Sequence, residues 1–539
     1  MYELSRYQKS FQRKSKKPDV ELSRDRASLI TEMLKSISAY GSLGEAYYNY
    51  ETHWEGLTRV LHTQTFGKEI EEVEKSLQSQ ASTGNYSLPP DIRESVVPLI
   101  LGFLILSARI KSVVSTAPTE EQIAVWMEMI QRWLDGLKGK ERLNIQTLRV
   151  QILLLLSKMN NLAQNSDLWK ESGTLVRSAM ILGLHQDPED HDVISLFEKE
   201  QRRKLWRTTV ELDLQFSLAG GMPAAICASD FKSRPLVNVD DAALKDDMVS
   251  YPESYPERLW TDALPQIIMS SSIGKRLEAA KILAGSIDLP KDAETLIDLA
   301  RYLEHSLQDL PTPSREEKSW GQINERSPGR LFTKVMLDVK LRRPTLCIYL
   351  YIMLSGQGER YTEGRKGALR NAVAMLGHLD ALDPEVADPN TIKNRDQLNL
   401  FHVLCKKDII QAALILCLEI RSFSLASRER EGRANDVLPW TKTSLTRIVE
   451  NALTSLLQRL GEFGSDLKDI LPVSIVLQSA RSDGSPEDKR VLMKKGAERV
   501  LKACRETLPR ISATPAPSQD RTSPTSNSNV VRAVIFRLC

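Results

Sequence analysis

Apolar and polar positions along this chain alternate with helical period almost throughout, and no sustained run with the two-residue period of a strand stands among them. The most informative part lies between Leu168 and Asp241. Leu168, the small Ser172, Leu175, Ala179 and Leu182 recur at helical spacing and predict one buried face. Gly183 follows where a helix end favours a residue that tolerates positive φ, and His185, Asp187 and Pro188 then mark a turn. A second helix is predicted from Phe197 to Leu218, stopped by Gly220, Gly221 and Pro223. Arg202, Trp206, Thr209, Asp213 and Ser217 share one side of it, because seven residues return the helix almost to the same angle. A lone buried carboxylate at Asp213 would cost several kcal/mol, so an arginine or backbone donors are expected to satisfy it; structural pairing outweighs a catalytic role.

Elsewhere the same periodicity predicts helices over Ser23–Tyr40, closed by Gly41, and over Glu120–Leu137, with Trp126 and Trp133 on one face. Further pieces are Lys275–Leu283, Ala293–Leu307, Arg365–Leu379 and Leu398–Ile420, with Pro252, Pro256, Pro265 and Pro290 breaking the region between 251 and 310. Val96–Ala108 and Ile145–Ser157 are apolar around most of their circumference and belong inside a bundle. The first is too short to span a membrane, and no secretory signal opens the chain. Arg342 and Arg343 precede Pro344, which frees backbone carbonyls that a guanidinium could reach. The fold class is therefore all-α.

Composition changes this picture little. The 539 residues are 41% hydrophobic and 27% charged, with a net charge of +3, so any nucleic-acid footprint must be local. One local candidate is the basic arm carrying Arg13, Lys14, Lys16 and Lys17, which reads either as a nuclear-import or phosphate-contacting segment or as a solvated terminus. The six cysteines are scattered, with no C-x-x-C pair, as in an intracellular protein with free thiols. His62 has no second ligand at metal spacing and is expected to be a hydrogen-bonded structural histidine. Asp240, Asp241, Asp246 and Asp247 could in principle bind a metal, yet no second carboxylate-rich motif completes such a site. No phosphate loop, dinucleotide fingerprint or nucleophile elbow is present, so no catalytic and no cofactor-binding residue is assigned.

GLHQDP, FEKEQRRKLW and ELDLQFSLAGGMPAAI follow one another in the order of the middle homology region of fungal zinc-cluster transcription factors, which this chain resembles. LHTQTF, QTLRVQILLLLS and LDVKLRRPTL are similar to further elements of that family, and the resemblance extends over residues 40–508. Lys204 and Arg207 depart from the family pattern, where a third Arg and a second Trp are usual, and Gln64 replaces a proline. The residues matching the motif are Gly183, His185, Asp187, Glu200, Arg202, Arg203, Trp206, Asp213, Gly221 and Pro223, and a structural role is expected for each.

The resemblance implies a large multi-helix regulatory domain and regulation of RNA polymerase II transcription in the nucleus. The expected organisation is a disordered basic arm at 1–20, the helical regulatory region at 21–424 and a charged linker at 425–439. A helical segment packed on the core follows at 440–510, then a disordered Ser/Thr/Pro-rich tail at 511–539. Family members hold two zinc ions in a six-cysteine cluster, whereas the first cysteine here is Cys227, so this chain is expected to lack the cluster and to bind no cofactor. The partners implied are a second copy or a full-length regulator, and a small-molecule effector; a membrane is not among them. Without an upstream exon for the cluster, nucleic-acid binding by this chain alone is expected to be weak and nonspecific. Two other classes compete with this reading: an all-α metal-dependent enzyme of secondary metabolism, and a binding-only protein that competes with a full-length regulator.

Overall fold

The computed structural model describes residues 19–110, 118–191, 193–230, 234–256, 259–285, 287, 289–308, 310, 328–355, 361–387, 395–429, 439–460, 467–482 and 484–507. The basic arm with Arg13, Lys14, Lys16 and Lys17 and the Ser/Thr/Pro-rich tail lie outside these residues. Seventeen α-helices of eight residues or more make up the described chain, with no strand among the described residues. The fold is all-α.

The first eight helices are α1 (Asp19–Ser38), α2 (Leu43–Tyr50), α3 (Thr63–Gln80), α4 (Val96–Ser107), α5 (Glu120–Gly136), α6 (Ile145–Asn160), α7 (Asn165–Ile181) and α8 (Leu196–Gly220). Their starts follow from short polar caps. Ser42, Thr119, Asn144 and Ser195 each accept the amide three residues on. All twelve residues of α4 are buried, and the helix packs against α2, α5 and α6. Gly102 permits the approach of α6, since a Cβ there would come within 2.9 Å of Leu153 Cβ.

The remaining helices are α9 (Leu264–Ser271), α10 (Ile273–Leu283), α11 (Leu289–Gln308), α12 (Pro328–Leu354), α13 (Thr362–Leu382), α14 (Asp396–Glu429), α15 (Lys442–Gln458), α16 (Leu467–Arg481) and α17 (Pro486–Thr507). The breaks expected at Pro265 and Pro290 fall just before each proline, where a new helix begins. Both prolines stand in a first helical turn, where a missing amide costs no helical hydrogen bond. Helix α14 reaches Glu429, into the segment expected as a charged linker, and α1 begins at Asp19, inside the expected disordered arm. One apolar core runs from Leu29 on α1 to Cys504 on α17.

Pro344 lies inside α12 without ending it. Its missing amide frees the carbonyl of Lys340, and the donor that takes it is Gln215 Nε2 on α8, at 3.2 Å. The arginines before the proline do something other than expected. Arg342 binds Asp338 at 2.6 and 2.9 Å, and Arg343 clasps Asp408 of α14 with two bonds of 2.7 and 2.8 Å. A planar guanidinium gains more from a carboxylate than from a carbonyl.

Candidate functional site: a buried charge network on helix α8

Helix α8 is the element that the rest of the fold surrounds. From Lys199 to Leu218 every residue but Arg202 is buried, and the buried set includes Lys199, Glu200, Arg203, Lys204, Arg207, Glu211 and Asp213. Charges buried in such number must be paired, because each unpaired ion would cost several kcal/mol.

One side of α8 faces α7. Arg202 donates to the carbonyl of Leu182 at the α7 end (3.2 Å) and pairs with Glu198 within its own helix. Trp206, fully buried, packs against the His185 ring with the ring centroids 6.3 Å apart. Asp213 accepts from Ser172 Oγ at 3.0 Å and from the Ala225 amide at 2.6 Å. Burial raises the Asp213 carboxyl above its ordinary range, and those two donors oppose the rise. Its satisfaction comes from a hydroxyl and a backbone amide.

Both helix ends on this side are closed in the same way. Gly183, at φ +76°, puts the Leu184 amide on the Ala179 carbonyl and its own amide on Met180. Gly221, at φ +63°, does the same with the Met222 amide on Ser217 and its own amide on Leu218. These paired bonds satisfy the orphan carbonyls of a helix C-terminus and require a left-handed residue at that one position. The carbonyl of Pro223 then accepts Trp169 Nε1 at 2.9 Å, tying the Gly-Met-Pro turn back to α7.

The other side of α8 carries the denser network. Arg203 reaches Asp187 at 2.8 Å and Glu189 at 2.7 Å, and its second nitrogen meets Tyr251 Oη at 3.0 Å and Glu200 at 3.3 Å. Burial opposes ionisation of Asp187, yet Arg203 and the amides of Arg234 and Glu189 hold its carboxyl below the usual range. Glu200, wholly buried, accepts the Val237 amide at 3.0 Å. Arg203, rather than Arg202, is thus the arginine that locks the GLHQDP turn to α8.

The next residue, Lys204, donates to Asp241 Oδ1 at 2.6 Å, and Arg59 pairs with the same oxygen. Both cations and the carboxylate are at most 3% exposed in their side chains. Burial works against the Asp241 anion, but Arg59 and Lys204 hold it far below the ordinary carboxylate range. Arg59 takes a left-handed backbone, φ +48°, which costs a non-glycine residue about 1–2 kcal/mol and is held by the contacts around it. Just before it, Glu55 accepts Tyr50 Oη (2.9 Å) and the amides of Val60 (2.9 Å) and Leu61 (2.5 Å). Burial pushes the Glu55 carboxyl up to about 7 against the pull of Arg59 and these amides. His62 starts α3 through Nδ1, facing Thr65, and meets the Asp241 carbonyl through Nε2 at 3.1 Å, a structural use of the ring.

Toward its C-terminus α8 engages the second half of the fold. Glu211 accepts Arg276 at 2.9 Å and Gln215 Nε2 at 2.8 Å, while Gln215 Oε1 accepts Arg343 at 2.8 Å. Polar contacts of α8 thus reach Arg59 and Asp241 from its first half and, through Gln215 and Arg343, Asp408 on α14 from its second.

With Asp241 occupied by two cations and Asp246 and Asp247 exposed, the acidic loop does not gather into a metal centre. No group of three metal-ligating side chains occurs among the described residues. Sequence reasoning missed Glu55, Arg59, Lys204 and Asp241 as one network. The sequence signal was Lys204 itself, with Glu200, Gln201, Arg207, Thr208 and Glu211 around it on the same helix.

Residues 50–266, from the end of α2 into α9, match the fungal specific transcription factor domain. That domain spans both arms of the charge network around α8, including the GLHQDP turn, the Gly-Met-Pro turn and Asp241. Transcription factor opdR of Penicillium oxalicum is 27% identical over 343 residues, 63% of this chain and 41% of that protein. Transcription factor lepE of Aspergillus flavus is 25% identical over 358 residues, 66% of this chain and 41% of that protein. The Zn(2)-C6 fungal-type transcription factor mpsB of Macrophomina phaseolina is 25% identical over 271 residues, 49% of this chain and 35% of that protein. The chain thus matches about two fifths of the length of these curated relatives. No solved structure matches it.

Proposed function

We propose that this chain is a regulator of RNA polymerase II transcription that works in the nucleus through its helical domain, by binding rather than by catalysis. The observation that carries the reading is the match of residues 50–266 to the transcription factor domain, and relatives named as transcription factors support it. The charge network supplies the physical means. Helix α8 is held by paired buried charges to segments far apart in sequence, so a ligand or partner that favours one arrangement of α8 biases both halves of the fold. The reading includes a small-molecule effector and a second copy or full-length regulator as partners.

A tethering experiment tests the proposal. Fused to a heterologous DNA-binding domain, the full chain should change the output of a reporter several-fold relative to that domain alone. Reporter output equal to that of the DNA-binding domain alone, at matched protein abundance, would overturn the reading. A tagged chain should also accumulate in the nucleus, less so when Lys14, Lys16 and Lys17 are replaced by Ala.

A further inference from the structure

A cleft of about 790 Å³ opens beside the N-terminal half of α8, between α1, α6 and the segment before α4. That volume lies in the range that encloses a small organic molecule, roughly 300–1,000 Å³. Most of the charges around it are already matched. Arg26 binds Glu94 at 2.5 Å and Glu141 at 3.0 Å, and Arg202 pairs with Glu198.

Arg149 is different. No carboxylate among the described residues forms an ion pair with it; its terminal nitrogens make only long bonds, 3.3 Å to Gln146 Oε1 and 3.4 Å to Gln201 Oε1. Its Nε is buried without a partner, and so is Nε2 of Gln201, a residue only 3% exposed. Arg93, on the same wall, likewise forms no ion pair with a described carboxylate. Glu55 and Glu69 act on Arg149 through space, and burial still holds its guanidinium below the usual range. Arg149 and Gln201 both line the cleft, and a buried donor without an acceptor is costly, on a guanidinium more so. The lining also includes the apolar side chains of Trp133, Leu137 and Phe197.

We infer that this cleft binds an organic acid with an apolar body, its carboxylate held by Arg149, Gln201 and Arg93 and its body against Trp133, Leu137 and Phe197. A carboxylate fits the planar fork of a guanidinium with two parallel bonds, which a neutral group cannot reproduce. Gln201 and Arg202 stand on α8 within the charge network's own helix, so the occupied cleft bears on the element that carries the network. The biological meaning of the site, an effector pocket, rests on the regulator reading; the binding itself does not.

The test uses the purified full chain with naphthalene-2-carboxylate as probe, 2-naphthalenemethanol as its neutral counterpart, and inorganic phosphate. Calorimetry should give one site for the carboxylate, with the alcohol at least about tenfold weaker and phosphate weaker than the acid. Arg149→Met should remove the preference for the acid while the alcohol binds as before, and Gln201→Leu should weaken the acid in the same direction. Because Arg149 makes no direct ion pair, Arg149→Met should melt close to the parent temperature, which separates lost binding from lost folding. Equal affinity for acid and alcohol, unchanged acid binding in Arg149→Met, or no binding of the acid at millimolar concentration would each overturn the assignment. Failure here with an active tethered reporter removes the cleft and leaves the regulator reading; acid binding with an inert tether does the reverse.

Discussion

Replacing Asp241 by Asn removes one negative charge and almost no volume. In the parent, Asp241 Oδ1 receives both Lys204, at 2.6 Å, and Arg59, and all three side chains are within 3% of full burial. Without the anion, two cations face each other in a medium that solvates neither. Breaking a buried ion pair by removing one partner costs about 3–5 kcal/mol, a large share of the roughly 5–15 kcal/mol that holds a domain folded. Urea unfolding followed by far-UV circular dichroism and by tryptophan fluorescence should show a lower midpoint in both signals with an unchanged slope. The double variant Asp241→Asn with Lys204→Met is the sharper test. It takes one orphaned cation away together with the anion, so it should recover about 1–3 kcal/mol of the loss. A single-variant loss under about 1 kcal/mol, or strictly additive effects in the cycle, would refute the reasoning.

Other perturbations follow from the same geometry. Asp213→Ala leaves the Ala225 amide without its acceptor, while the Ser172 hydroxyl keeps the Trp169 carbonyl, and should cost about 1–3 kcal/mol in chemical denaturation, whereas Asp213→Asn, which keeps an acceptor oxygen, should lose less. Asp338 is buried, which opposes its charge, but His378 (2.7 Å) and Arg342 (2.6 Å) more than offset this and hold it down from 3.8 to about 2. A depressed carboxyl stabilises the fold above its unfolded value and loses that contribution, on the order of 2 kcal/mol, as pH falls from about 4 to about 2. Melting curves of Asp338→Asn should therefore fall less steeply than the parent's across that window, and parallel curves would count against the pairing. At Gly367 a Cβ would lie 2.3 Å from the fully buried Tyr349 ring, so Gly367→Ala should lower stability by about 1–3 kcal/mol, readable as a reduced urea midpoint.

Helix existence was readable from period and punctuation, because Gly183, Gly221 and the apolar faces of α4 and α6 act locally. Proline was readable only in part. Pro265 and Pro290 sit harmlessly in first turns, and Pro344 stays inside α12 because Gln215, from another helix, takes the carbonyl it frees. The motif residues of the GLHQDP and Gly-Met-Pro turns could be picked out as a set, yet which arginine does the locking could not. Adjacent Arg202 and Arg203 differ only in the face they present, one to the α7 end and one to Asp187 and Glu189. The Arg59–Lys204–Asp241 network was invisible for a stronger reason. Arg59 and Asp241 are 182 positions apart, and neither shows in sequence any need for the other. The same holds for the cleft, whose wall is assembled from Arg93, Arg149 and Gln201 and is marked only by donors that the fold leaves without acceptors.

The central claim is that α8, through its paired buried charges, joins the two halves of the chain into one cooperative unit. Native-state hydrogen exchange of the full chain, parent against Asp241→Asn, tests it most directly. The account predicts that α8 amides are among the slowest in the parent, and that the variant speeds exchange together along α8, around Glu55 to His62 and in α12 near Arg343. Faster exchange confined to the neighbourhood of Asp241, with α8 and α12 unchanged, would contradict it.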